Sequence, residues 1–186
     1  MGSEMCIRDR TALAFWKEHV DFTANYTEQK FAVFNPAFQE LDAPEPFNWN
    51  LLNNSDVTTE YNKPESLFAR FKGSRTRVIA QQYIAWKPTP SVKLVLDFVH
   101  KYDKNNGKFH IDIACAETQT LIGKYDIAHT SRGGVETFDI PTIPTACDIA
   151  YIEIKASPGN FSRAINMTLN RLDIEFPVGS PRGVAQ

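Results

Sequence analysis

No stretch of this sequence is apolar for the ~20 residues that a membrane-crossing helix requires. Neither sign of charge dominates. Twenty Lys and Arg stand against 22 Asp and Glu, a net charge of −2. That balance argues against a nucleic-acid groove or a patch for anionic membranes. Catalytic signatures are missing as well: there is no Gly-x-Ser-x-Gly elbow, no His-Glu-x-x-His and no Gly-rich phosphate loop bearing a lysine. Ser131-Arg132-Gly133-Gly134 reads as a loop. An enzyme therefore has no support at the level of residues, and no internal repeat is visible. What is present is a globular composition. Thirteen Phe and six Tyr exclude a disordered chain. At 186 residues the chain suffices for one domain, or one domain with a short attachment. A chain of this size buries roughly 70% of its unfolded surface, so neither metal nor disulfide is needed to fold it.

Residues 1–10, Met-Gly-Ser-Glu-Met-Cys-Ile-Arg-Asp-Arg, match the translation of a transposon-end sequencing adapter. They are set aside as non-native before any reasoning about fold. On this reading the natural chain continues from near Thr11 and belongs to a longer protein, and Cys6 leaves the cysteine count. Residues 11–23 place Leu13, Trp16 and Val20 at helical spacing. With the polar stretch up to residue 30 they read as a short N-terminal helix and linker, left from an upstream domain. A flexible tail is expected over 178–186.

From Phe31 the texture is that of an all-β domain, expected over 31–177. Short β-branched and aromatic runs are separated by Pro, Gly, Asn and Asp clusters. Strands are expected near 31–34, 46–51, 55–60, 66–72, 75–86, 91–102, 108–116, 120–126, 135–140, 148–156 and 165–176. Such a series indicates an antiparallel β-sandwich or barrel. Val92, Leu94, Leu96 and Phe98 alternate on one strand, and Phe109, Ile111, Ile113 and Cys115 on the next. With Asn106-Gly107 between them, the two read as a hairpin that sets Phe98 opposite Ile113. Its other face would carry Asp97, Lys101, His110 and Asp112.

These polar residues are the candidates for chemistry. His110 and Asp112 share a face, as a metal or acid–base pair needs. The hairpin register puts His100 on the opposite face, against a two-histidine metal site. Carboxylates are too many for a glycosidase pair to be selected. Cys115 and Cys147 each sit at a strand boundary. If their strands are neighbours they can close a disulfide, which would imply an oxidising compartment; otherwise they are buried thiols. Sugar rings stack on aromatic planes, and Trp49, Tyr61, Trp86, Tyr102, Tyr125, Tyr151 and Phe161 are the large aromatics outside the apolar rows.

Phe34-Asn35-Pro36-Ala37-Phe38-Gln39-Glu40 followed by Pro46-Phe47-Asn48-Trp49 resembles the opening of galactose-binding-like jelly rolls, the fold of xylan- and glucan-type carbohydrate-binding modules. Ala80-Gln81-Gln82-Tyr83-Ile84-Ala85-Trp86 and the closing Leu169-Asn170-Arg171-Leu172-Asp173-Ile174 are similar to later strands of that family. The narrower likeness is to the C-terminal β-sandwich of bacterial tetratricopeptide-repeat proteins. That domain shares the Phe-x-Trp opening and the two cysteines, here Cys115 and Cys147. The resemblance implies a non-catalytic, glycan-binding jelly roll attached to a larger bacterial protein, with a secreted or cell-envelope address favoured. Its ligand residues would be Gln82, Trp86, Asp97, Lys101, His110 and Asp112. Family members also hold a structural calcium, for which Asn35, Glu40 and Asn170 occupy the positions, although Gln39 and Asn170 replace the family's Glu and Asp. The alternative is a structural or protein-interaction sandwich that packs on upstream helical repeats and binds no glycan. A glycan hydrolase is the remote third reading.

Overall fold

The computed structural model describes residues 33–39, 48–62, 64–85, 92–100, 105–127, 133–141, 147, 149–161 and 163–175. Outside them lie the adapter-like segment, the expected N-terminal helix and linker, the tail, Glu40, Trp86, Lys101 and Tyr102. Among the described residues the secondary structure is all β, in ten strands: β1 (Asn50–Leu51), β2 (Val57–Asn62), β3 (Ser66–Phe71), β4 (Arg77–Ala85), β5 (Val92–His100), β6 (Gly107–Cys115), β7 (Leu121–Asp126), β8 (Gly133–Ile140), β9 (Ile149–Pro158) and β10 (Ile165–Glu175). No helix long and apolar enough to cross a membrane occurs among these residues. Val33 and Phe34 lie outside any strand, and of the described part of the strand expected at 46–51, residues 48–51, Asn50 and Leu51 pair.

The strands form two five-stranded antiparallel sheets. The first runs β1-β4-β9-β6-β7 and the second β2-β3-β10-β5-β8. Alternation supplies the core between them. Phe109, Ile111 and Ile113 of β6 and Ile152 and Ile154 of β9 are fully buried in one sheet. Leu94, Leu96 and Phe98 of β5, with Leu169, Leu172 and Ile174 of β10, are fully buried in the other. Each such side chain contributes about 1.5–3 kcal/mol relative to exposure. In β10 the buried residues Leu169 and Leu172 are three apart, because a bulge lies between Leu169 and Arg171. The extra residue shifts the alternation by one and restores it for Ile174.

The expected hairpin does not form. β5 pairs with β10 and β8, whereas β6 pairs with β9 and β7. The two apolar rows do share the core, but they approach it from opposite sheets. Alternation fixes which face of a strand is apolar and carries no information about which strand lies beside it. Asn106-Gly107 is accordingly part of a crossing between sheets. Gly107 has φ 146°, and a Cβ there would stand 2.5 Å from the carbonyl oxygen of Ser157. The glycine is required by the close approach of β9.

The opening motif folds back into the sandwich. Asn35 and Phe38 have positive φ, 53° and 54°. The indole N–H of Trp49 donates to the Asn35 carbonyl at 3.0 Å, and the Phe38 and Trp49 rings lie 5.0 Å apart. Phe38 and Trp49 are both buried, so Trp49 is core and not a sugar platform. At the end of β6 Cys115 and Cys147 form a disulfide, with Cα atoms 5.6 Å apart. The condition set by the sequence is met there, because Cys115 on β6 stands opposite Ala150 on β9.

Candidate functional site

Residues that alternate with the core row on β6, β9 and β4 make up the outer face of the first sheet. Register sets them in three lines across the strands. Asn50, Gln81, Glu153, Asp112 and Lys124 form one; Tyr83, Tyr151 and Ala114 the next; Val78, Lys155, His110 and Asp126 the third. The sheet therefore places two carboxylates, Asp112 and Glu153, directly opposite each other, an arrangement that is unfavourable when left alone. Lys155 resolves it. Its Nζ lies 2.8 Å from Asp112 Oδ2 and 2.6 Å from Glu153 Oε2. Burial disfavours the charge on Lys155, but the hydrogen bonds to Asp112 and Glu153 outweigh it and hold the ammonium pKa above its ordinary value.

His110 stands beside this cluster and is 1% exposed. Its Nε2 is 3.9 Å from Asp112 Oδ1, and neither His110 Nδ1 nor Asp112 Oδ1 has a hydrogen-bond partner among the described residues. Burial, followed by the positive charge of Lys124, pushes the imidazole pKa below 6.5, against the pull of Asp112 and Asp126. The shift favours the neutral imidazole. Asp126, opposite His110, is paired with Lys108 at 2.7 Å.

Tyr83 and Tyr151 supply the apolar part of the face. Their ring centroids are 6.1 Å apart with planes tilted by 48°, and both side chains are half-buried. The Tyr151 hydroxyl donates to Gln119 Oε1 at 3.2 Å. Gln119, at φ 57°, lies in the turn from β6 to β7, so this turn fixes the ring. A tilted aromatic pair beside a line of carboxylate, amide and ammonium groups offers stacking and hydrogen bonding on one surface.

The expected ligand residues are divided by this geometry. His110 and Asp112 come together. Asp97 belongs to β5, on the outer face of the other sheet, where Asn170 Nδ2 approaches it at 3.4 Å. Gln82 faces inward, is fully buried and grips one backbone unit: its Oε1 accepts the Phe34 N–H at 3.0 Å and its Nε2 donates to the Phe34 carbonyl at 2.8 Å. Trp86 and Lys101 lie outside the described residues. Of the other expected aromatics, Tyr125 is buried against Phe138 and Phe161 is exposed in the loop after β9. Tyr83, Glu153 and Lys155 were not expected at the site. The alternation Tyr151-Ile152-Glu153-Ile154-Lys155 puts Glu153 and Lys155 on one face with Tyr151, but only the pairing with β6 brings His110 and Asp112 to them.

Asn35 and Asn170 are the residues of the calcium expectation that lie among the described ones. Asn35 Oδ1 accepts the Gln39 N–H at 2.7 Å, while its Nδ2 donates to the Gln39 carbonyl at 2.7 Å. The side chain closes its own loop. Asn170 turns an amide N–H to Asp97. This arrangement does not fit a cation that needs a shell of free oxygen donors at Asn35; Glu40 lies outside the described residues.

No protein-family profile matches the chain, and no curated protein sequence does. Solved structures do. The carbohydrate-binding module CBM4 aligns with TM-score 0.56 at 13% identity, over 77% of this chain and 98% of its own. TmCBM61, solved with β-1,4-galactotriose, aligns with TM-score 0.51 at 8% identity, over 79% of this chain and 99% of its own. The arabinose-bound α-L-arabinofuranosidase MgGH51 aligns with TM-score 0.54 at 10% identity, over 79% of this chain but only 26% of that longer one. At these identities the likeness is one of fold. The chain has the β-sandwich architecture of carbohydrate-binding modules.

Proposed function

We propose that the protein is a non-catalytic glycan-binding module whose ligand lies along the outer face of the first sheet. The observation that carries this reading is the Tyr83–Tyr151 pair beside the Asp112–Lys155–Glu153 cluster, on a fold shared with carbohydrate-binding modules. The C–H face of a sugar would stack on Tyr151. Its hydroxyls would donate to Asp112, Glu153 and Gln81 and accept from Lys155 and Asn50. Both carboxylates share one ammonium, which favours recognition over acid–base chemistry, since a glycosidase needs an acid and a base in separate environments. The match to part of a longer arabinofuranosidase favours an accessory role in a larger protein, which the sequence reading takes to be bacterial.

The test is calorimetric titration of the whole chain with a panel of neutral and acidic oligosaccharides. One glycan should bind, and Tyr151→Ala and Tyr83→Ala should each weaken it about tenfold, in keeping with the loss of a stacked ring. Binding that survives both substitutions, or no binder in the panel, would sink the reading.

A second reading, packing on a helical-repeat domain, draws on the other sheet. Val135 is 68% and Val99 41% exposed on neighbouring strands of its outer face. Val135→Asp would abolish such an association and leave glycan binding intact.

A further inference from the structure

The end of β6 brings a carboxylate against the Cys115–Cys147 pair. Glu117 follows Cys115 by two residues, in the turn to β7. Its Oε1 accepts the N–H of Ile149 at 3.2 Å, which fixes the carboxylate across the start of β9. Its other oxygen, Oε2, lies 3.0 Å from Cys115 Sγ. A disulfide sulfur has no proton to give, so the oxidised pair offers this oxygen no hydrogen bond. A thiol does offer one, and a metal ion held between sulfur and oxygen would use both as ligands. The ligand atoms of Cys115, Glu117 and Cys147 all lie within 4.8 Å of one another.

We propose that the reduced Cys115–Cys147 pair and Glu117 form a zinc-binding site. Zinc takes thiolate at about 2.3 Å and carboxylate at about 2.0–2.2 Å in a tetrahedron. Three ligands of the chain leave the fourth position to water. The mixture of two soft sulfurs and one hard oxygen suits this borderline ion, whereas calcium or magnesium would reject the sulfurs. The frame that holds Cys115 and Glu117 does not depend on the S–S bond. Ala116 N–H donates to the Ile149 carbonyl at 2.9 Å, and Cys115 N–H donates to the Thr120 carbonyl at 2.9 Å. Cys115 and Cys147 are fully buried and Glu117 is half-buried, so the carboxylate side is the way in.

The chemistry balances with a dithiol as reductant. The dithiol gives up two electrons and two protons and closes its own disulfide, while the Cys115–Cys147 bond opens to two thiols. Zinc then displaces both thiol protons to solvent as the two Zn–S bonds form. The two states exclude each other: one sulfur pair holds either its own bond or the ion.

The experiment uses the whole chain with Cys6→Ser, so that the pair supplies the only thiols. Reduced protein, freed of reductant under nitrogen, is titrated with zinc chloride, and separately with cobalt(II) for its spectrum. One zinc per chain should bind, cobalt should give a sulfur-to-metal charge-transfer band, and the oxidised chain should do neither. Glu117→Gln should weaken zinc about tenfold or more, as loss of even an outer partner of a zinc ligand does. X-ray absorption on the zinc-loaded chain without the Glu117 substitution should show two sulfurs and light-atom neighbours, which reads the site even if Glu117→Gln fails to fold. A reduced chain that unfolds or binds no zinc, equal binding by the oxidised chain, an unchanged Glu117→Gln affinity, or four sulfurs around the metal would each overturn the proposal.

Discussion

Lys155 and Asp112 are diagonal neighbours across β9 and β6, with Nζ 2.8 Å from Oδ2, and the same ammonium reaches Glu153. Removing it would leave two carboxylates face to face on a partly buried surface. Lys155→Met should therefore destabilise the fold by about 1–3 kcal/mol, a range set by loss of a charged partner at a half-buried site. Adding Asp112→Asn should recover part of that loss. Urea denaturation of the two variants reads the result, and equal stability of the single and double variants would contradict the bridging role.

His110 predicts a pH dependence. Burial holds its folded pKa below the 6.5 of the unfolded chain. Between the two values the unfolded state binds a proton that the folded state does not, so stability falls as pH drops below 6.5. Asp126 works at a lower range: burial would raise its pKa, but the partnership with Lys108 outweighs it and holds the folded value below 3.8, so its contribution, full above 3.8, is lost as pH falls through that lowered value. Melting temperatures from pH 7.5 to pH 5 should decline for the wild type, and His110→Asn should flatten the curve. A parallel decline in the variant would assign the effect elsewhere.

Gln82 distinguishes structure from binding. Its amide holds both polar groups of Phe34, so Gln82→Leu should cost about 1–2 kcal/mol through the loss of two hydrogen bonds to a half-buried backbone unit. Glycan affinity, read on the folded fraction, should stay within about twofold of wild type, which corresponds to a few tenths of a kcal/mol. A large loss of affinity with full stability would return Gln82 to the ligand surface.

The disulfide separates residues 32 apart in sequence. Closing a loop of that size is worth about 3–4 kcal/mol on the chain-entropy account. Cys115→Ser with Cys147→Ser should lower the denaturation midpoint accordingly, measured in metal-free buffer without reductant. A midpoint identical to wild type would mean that the bond constrains nothing in the unfolded chain.

Most strand positions were legible in the sequence because period-two rows such as Val92–Phe98 and Phe109–Cys115 are unbroken, the first starting after Pro90 and the second after Gly107. Neighbours were not legible. The same rows satisfied a hairpin and a sheet-to-sheet crossing equally well, and only packing across the core chooses between them. The candidate site inherits that limit. His110 and Asp112 could be placed on one face from β6 alone, but Lys155 and Glu153 reach them through the β6–β9 register. Gln82 was misplaced for another reason: its row-mates Ala80 and Ile84 are apolar and inward, and its polar identity pointed the other way. A buried amide clasping the backbone looks, in sequence, like a ligand group.

Phe34 and Pro36 meet different sheets. The Phe34 backbone is bonded to Gln82 in the first, and the Pro36 carbonyl accepts the N–H of Leu172 in the second at 2.9 Å. A pull arriving along the chain from the residue-33 side is thereby shared between the two layers before it reaches any edge strand. The two anchors would share that load. Two residues apart in the chain, they make this short segment a mechanical rivet through the sandwich.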